Sequence, residues 1–367
     1  MLRKKTVSAA LLALLLTACA HTSNGSIPLA AQGSFTVGGS YVTHPGTFKP
    51  ENFIAPDGQR AYGDFAYVKY QTPANAKPLP LIFQHGGAQS SRTWESTVDG
   101  REGFDTLFLR KGYSVYLLDQ PRSGKSNLST QAVTPDTPWA SNPMYGDKTL
   151  WLLSLMGHFD ASGKPVANTQ FPAGEAAYQA FQQAWTIGSG PLDNELNADV
   201  LAQLVDRTGG AVLVTHSMGG SIGWRAALRT DKVKAIVAWE PGGTPFIFPE
   251  NEMPKITKAR FEALSGAAMG VPMTEFLKLI RIPIVLYYGD YIKVGSENVG
   301  EDKWGTELAM AKQFVDAINR HGGDATLVHL PEIGIQGNSH FLMGEKNNQQ
   351  LADLMAAWLK EKGLDKK

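Results

Sequence analysis

The stretch "AVLVTHSMGGSIGWRAALR", residues 211–229, constrains this chain more than any other. Its β-branched opening reads as a short buried strand, and "SIGWRAALR" reads as a helix. Only the small, glycine-rich turn "THSMGG" lies between them. A strand that passes through one sharp turn into a helix exposes the hydroxyl of its turn serine, here Ser217. The helix amino end and the next backbone N–H also favour negative charge developing beside it. Thr215 stands where the commonest version of this small-x-Ser-x-Gly pattern has glycine, a tolerable departure.

Around this turn, short apolar runs alternate with helical patterns. The strand candidates are "FAYVKYQ", "LPLIFQHGG", "YSVYLLDQP", "AVLVTHS", "VKAIVAWEP", "IPIVLYYGD" and "ATLVHLPE". "ELAMAKQFVDAINRHGG" has apolar residues at helical spacing and stops at glycines, and "NQQLADLMAAWLKEKG" is the last helix. This rhythm predicts an α/β fold, a mostly parallel sheet with helices on both faces. Two stretches break it, about 128–194 and 246–279. Both are expected to be cap insertions over the site, because long excursions at the carboxyl ends of parallel strands border the ligand crevice.

The amino end is a different kind of sequence. Arg3, Lys4 and Lys5 precede an apolar run from Val7 to Ala18 and then small residues, the pattern of an export signal. That run is well short of the roughly 20 residues a membrane-crossing helix needs. "LTAC" resembles a lipobox ending at Cys19, while "ACA" equally suits ordinary cleavage after Ala20. The expected organisation is a signal over 1–19, a flexible tether over 20–34 and one domain over 35–367 with its two insertions. The protein is then exported, either as a periplasmic or outer-membrane-anchored bacterial lipoprotein, with the Cys19 lipid its one membrane attachment, or as a secreted protein. Cys19 is the only cysteine, so the mature domain has no internal disulfide. Basic and acidic residues balance at 34 each without long single-sign blocks, which argues against a nucleic-acid partner.

A serine hydroxyl needs a base at neutral pH. His340, in "GIQGNSHFLM" after the last strand candidate, is the expected base; His329 lies within a strand and His216 precedes the serine, so both read as structural. A carboxylate should orient the imidazole. Glu240 ends "VKAIVAWE" and Asp290 ends "IPIVLYYGD", and both precede His340 in the chain. "FQHGGAQ" offers backbone N–H groups facing the turn, so Met218 and Gly87, with Ala88 as the neighbouring alternative, are the expected oxyanion donors. His85 is expected to brace that loop. "DQPRSGKS" ends like a phosphate loop, yet Asp119 occupies the position of its first glycine. The eight histidines show no His-x-x-x-His pair, so neither a metal nor a cofactor is expected.

Taken together, "HGGAQSSRTWE", "THSMGG", "AWEPGG", "YYGDYI" and "GIQGNSHFLMGEKNN" resemble the α/β-hydrolases, and more narrowly exported bacterial esterases and their fungal relatives that use a serine–histidine–glutamate triad. The resemblance runs from about Gly33 to the final helix. It implies Ser217 as nucleophile, Glu240 as acid and His340 as base, and a small-molecule ester as substrate. Some of these esterases carry adjacent cysteines in the oxyanion loop where this chain has Gly87 and Ala88. Lactone opening or acyl transfer would use the same three residues, and a non-catalytic envelope binding protein could keep the same fold.

Overall fold

A computed structural model describes residues 25–131, 146–186 and 188–366. In chain order the first elements are β1 (Leu29–Thr43), β2 (Arg60–Pro73), β3 (Leu81–Gln84), α1 (Phe104–Arg110), β4 (Val115–Asp119), α2 (Asp147–Leu153), β5 (Gly157–Phe159), β6 (Pro165–Ala167), α3 (Glu175–Gln183) and α4 (Asn194–Thr208). There follow β7 (Ala211–His216), α5 (Gly219–Arg229), β8 (Val233–Trp239), β9 (Phe246–Pro249), β10 (Ala268–Val271), α6 (Met273–Phe276), β11 (Pro283–Tyr288), α7 (Val299–Arg320), β12 (Asp324–His329) and α8 (Asn348–Glu361).

Among the described residues eight strands make the main sheet, in the order β1-β2-β4-β3-β7-β8-β11-β12. From β4 to β12 every neighbouring pair is parallel, whereas β1 and β2 add an antiparallel edge. The central strands are buried on both sides, which explains their nearly continuous apolar sequences. Alternation sorts their side chains: Leu213, Ile236 and Leu286 meet α4, α5 and α7, while Val212, Val237 and Val285 meet α1 and α8.

One expected boundary shifts. The tether was expected to reach residue 34, but β1 starts at Leu29 and pairs along its length with β2. Small residues suit that strand: Gly33 lies under the Tyr70 ring, where a Cβ would come within 3.1 Å of it. The signal, Cys19 and the first part of the tether lie outside the described residues.

The first excursion has a small core of its own, in which Trp151, Phe171 and Phe181 meet edge to face. It reaches the expected base directly: Ser154 accepts the backbone N–H of His340 at 3.0 Å, and Phe181 and Trp185 meet Phe341. The second excursion behaves differently. β9 and β10 form a parallel pair whose Phe246 and Phe248 pack on Phe314 of α7, with Trp224 of α5 beside Phe246. Its apolar side chains complete the main core.

Candidate active site

Ser217 takes φ of +54°, the left-handed region that residues with a Cβ seldom enter. The surrounding contacts hold it there. Its N–H donates to Trp239 O at 3.0 Å, and its carbonyl accepts from Gly220 N at 3.0 Å and Gly242 N at 3.2 Å. Glycine is required on both sides of the turn: a Cβ on Gly220 would sit 2.6 Å from Pro241 Cβ, and one on Gly86 would sit 2.8 Å from Ser217 Cβ. A Cβ on Gly87 would likewise meet Met218 Sδ at 2.2 Å, so the loop after β3 lies directly on the turn before α5.

Glu240, one strand further along the sheet, also has a positive φ, +40°, and is fully buried. Its N–H donates to Tyr287 O at 2.8 Å, which aims the side chain beyond the end of β11. There Oε1 accepts the Gly289 N–H at 2.7 Å, and Oε2 lies 2.6 Å from His340 Nδ1. Gly289 has no room for a side chain, since a Cβ would come within 2.8 Å of Glu240 Oε1 and 2.6 Å of Asn338 O. Asp290 has a different set of partners. Its Oδ1 accepts the Tyr291 N–H at 2.7 Å and its Oδ2 the Gly337 N–H at 3.0 Å, while its own N–H donates to Asn338 O at 2.8 Å. The carboxylate of Asp290 thus shapes the loop that carries His340, and the carboxylate of Glu240 meets the imidazole.

Two rings flank that imidazole. Trp304 of α7 stacks on His340 at 3.9 Å between centroids, and His216 lies at 4.5 Å. His216 Nε2 donates to the His340 carbonyl at 2.8 Å, so the residue preceding Ser217 is tied to the residue expected to serve it. His85 has both ring nitrogens engaged, Nδ1 with Gly86 O at 2.8 Å and Nε2 with Gln120 N at 3.3 Å. It braces the glycine loop against the end of β4.

Burial dominates the electrostatics. It drives the Glu240 carboxyl well above its ordinary range, with Glu345 adding to the rise and the Gly289 N–H opposing it. It pushes His340 well below the usual imidazole value, helped by His216 and by the Lys303 ammonium. His216 itself is brought down to about 4 by burial. A neutral His340 at neutral pH is free to accept a proton at Nε2 while its Nδ1–H points at Glu240.

Lys303 and Trp304 escaped the sequence reading. Lys303 Nζ sits 3.5 Å over the Trp304 ring and 3.5 Å from Glu307, whose Oε1 accepts the Gly243 N–H at 2.7 Å. In the sequence Trp304 looks like any apolar residue on the inner face of a long helix. A cavity of about 490 Å³ is lined by Gln89, Phe181, Trp185 and Phe341, but by neither Ser217 nor His340.

Residues 81–364 match the model described as the alpha/beta hydrolase family. The chain is 28% identical over 330 residues to the probable secreted lipase phiG of Fungal sp. (strain ATCC 74256), covering 80% of this chain and 85% of that one. Among solved structures it is similar to a bacterial esterase, at 31% identity and a TM-score of 0.69, covering 92% of this chain and 97% of the other.

Proposed function

The chain belongs to the alpha/beta hydrolase family, and from that premise we propose that it is a serine carboxylic-ester hydrolase working through Ser217, His340 and Glu240. The pairing of His340 Nδ1 with Glu240 Oε2 at 2.6 Å carries this reading, because it gives the base a defined tautomer. The names of the two relatives, an esterase and a lipase, support an ester as the bond cleaved.

In the proposed cycle, Ser217 Oγ bonds to the ester carbonyl carbon as its proton passes to His340 Nε2. The electron pair displaced onto the carbonyl oxygen is received by the N–H groups of Met218 and Gly87, a role supported by the close approach of the two turns. Collapse breaks the bond to the alcohol, which leaves with the proton from His340. Water then attacks the acyl-serine by the same route in reverse, releasing the acid and restoring Ser217. Glu240 holds the imidazole and balances its charge while it is protonated.

The direct test is Ser217→Ala assayed on short aryl esters, with a fluorophosphonate probe to locate the nucleophile. Loss of at least a thousand-fold in kcat and of the adduct is expected; near-normal turnover by Ser217→Ala would refute the reading. Export is part of the proposal too. It rests on the signal-like first residues and on the description of the fungal relative as secreted. Labelling with a fatty-acid analogue, present in the native chain and lost in Cys19→Ala, would identify the lipid-anchored form.

A further inference from the structure

We propose that Glu345 is a positioning residue for this site: its buried carboxylate holds Asn338 and Ser339 from behind and thereby sets the approach of His340 to Glu240. The inference rests on the reading of His340 and Glu240 given above.

Glu345 follows the histidine loop by one short turn and is fully buried. Its Oε1 accepts the Ser339 N–H at 2.7 Å, and its Oε2 accepts from the side-chain amide of Asn338. These are the two residues immediately before His340. Asn338 is further fixed by a reciprocal amide pair with Asn347, at 2.8 and 3.0 Å, and its carbonyl accepts the Asp290 N–H. The backbone around Glu345 is anchored as well: Arg101 Nη1 donates to Glu345 O at 2.7 Å and to Asn348 Oδ1 at 2.9 Å. The result is a rigid plate behind the imidazole, made from the end of β11, the loop before α1 and the start of α8.

A carboxylate in such a place is costly unless it does something that a neutral side chain cannot. Here it accepts two hydrogen bonds from one loop, which glutamine at the same position cannot do, because its amide nitrogen would face the Asn338 amide or the Ser339 N–H. The titratable groups that feel Glu345 are Arg101 from the loop before α1, Glu240 from the end of β8 and Tyr291 just beyond the end of β11. Burial lifts its own carboxyl to about 7. A bond of 2.6 Å between the imidazole and the carboxyl group is sensitive to small displacements, and a group that holds the histidine in place acts on the chemical step more than on substrate binding.

The test compares Glu345→Gln and Glu345→Asp with the native chain and with Ser217→Ala. It uses kcat and KM on an aryl ester, near-ultraviolet circular dichroism, and the proton NMR resonance of His340 Nδ1–H. For Glu345→Gln we expect kcat to fall ten- to a hundred-fold, KM to stay within about twofold, the dichroism to be retained and the Nδ1–H resonance to move upfield. Glu345→Asp keeps the charge but lacks the reach; it is the second arm if the glutamine variant does not fold, and the same pattern is expected of it. An unchanged kcat and resonance in a folded variant overturns the proposal. So does a loss of kcat that only tracks loss of dichroism. Should Ser217→Ala remain active, the hydrolase reading fails, while the resonance still reports whether Glu345 positions His340.

Discussion

His340 Nδ1 stands 2.6 Å from Glu240 Oε2, while Asp290, at the end of the neighbouring strand, gives its carboxylate oxygens to the backbone N–H groups of Tyr291 and Gly337. The two acids therefore have separate duties. Glu240 reaches across the end of β11 to the ring, a span that suits glutamate with its extra methylene, and Asp290 shapes the loop bearing the ring.

Glu240→Gln should lower kcat/KM by about ten-thousand-fold, because an amide cannot enforce the Nδ1–H tautomer or balance the imidazolium. Asp290→Asn keeps a carbonyl oxygen for one of its two backbone donors and should lose less than about tenfold. Parallel kinetics on one aryl ester, with circular dichroism to confirm folding, check both values; the reverse ranking would make Asp290 the acid.

The acid limb of the pH profile should lie below 6.5, the ordinary imidazole value. Burial, His216 and Lys303 all favour neutral His340, so the base itself is lost as pH falls through that depressed value, beyond any smaller loss near 7 as Glu345 takes up a proton. Lys303→Met removes one of these influences and should move the limb upward by less than about one unit. A kcat/KM profile from pH 4 to 8 for both proteins reads the shift.

His216 and Glu345 pull the pH dependence of stability in opposite directions between about 4.5 and 6.5. His216, brought down to about 4, is protonated in the unfolded chain and neutral in the folded one across this window, so its contribution grows as pH rises. Glu345, lifted to about 7, is protonated in the folded chain and ionised in the unfolded one, so its contribution fades as pH rises. Each amounts to about 3 kcal/mol over its full range. In Glu345→Gln the histidine acts without its counterweight, and urea denaturation at pH 5 and 6.5 should show a steeper loss toward acid than in the native chain.

Gly86→Ala should cut kcat by ten- to a hundred-fold with little change in melting temperature. The added methyl would lie 2.8 Å from Ser217 Cβ and must push the glycine loop away from the turn. Gly86 is not among the glycines with positive φ, so alanine fits its backbone and the damage stays local.

Arg122→Met should destabilise the fold by about 3 kcal/mol, because it strands a buried carboxylate. Arg122 makes two 2.8 Å bonds to Asp64 of β2 and also bonds to Pro191 O, where the first excursion returns to the domain. Combining it with Asp64→Asn should cost less than the sum of the two changes, measured by chemical denaturation of all four proteins.

The sheet, the turn at Ser217 and the loop at His340 were legible because each depends on local pattern: strand alternation, paired glycines, a polar segment between strand and helix. The choice between Glu240 and Asp290 was not local, since both close a strand and only the direction of each side chain separates them. β1 was hidden because its small residues have weak strand propensity and gain their place from pairing with β2. In the segment 246–279, Phe246 packs inward on Trp224 and Phe314, a contact no spacing rule contains. Trp304 and Lys303 could not be told from ordinary helix residues until α7 was set beside His340.

The bond between Glu240 and His340 joins residues 100 positions apart, and that from His216 to the His340 carbonyl spans 124. Neither contact can form until β11, α7 and β12 have been added to the sheet. On the proposed reading, a chain still being made, or one truncated before its last strand, holds Ser217 without its base and should be inactive on esters. If the proposed triad holds, esterase activity during refolding serves as a clock for the chain's final long-range step.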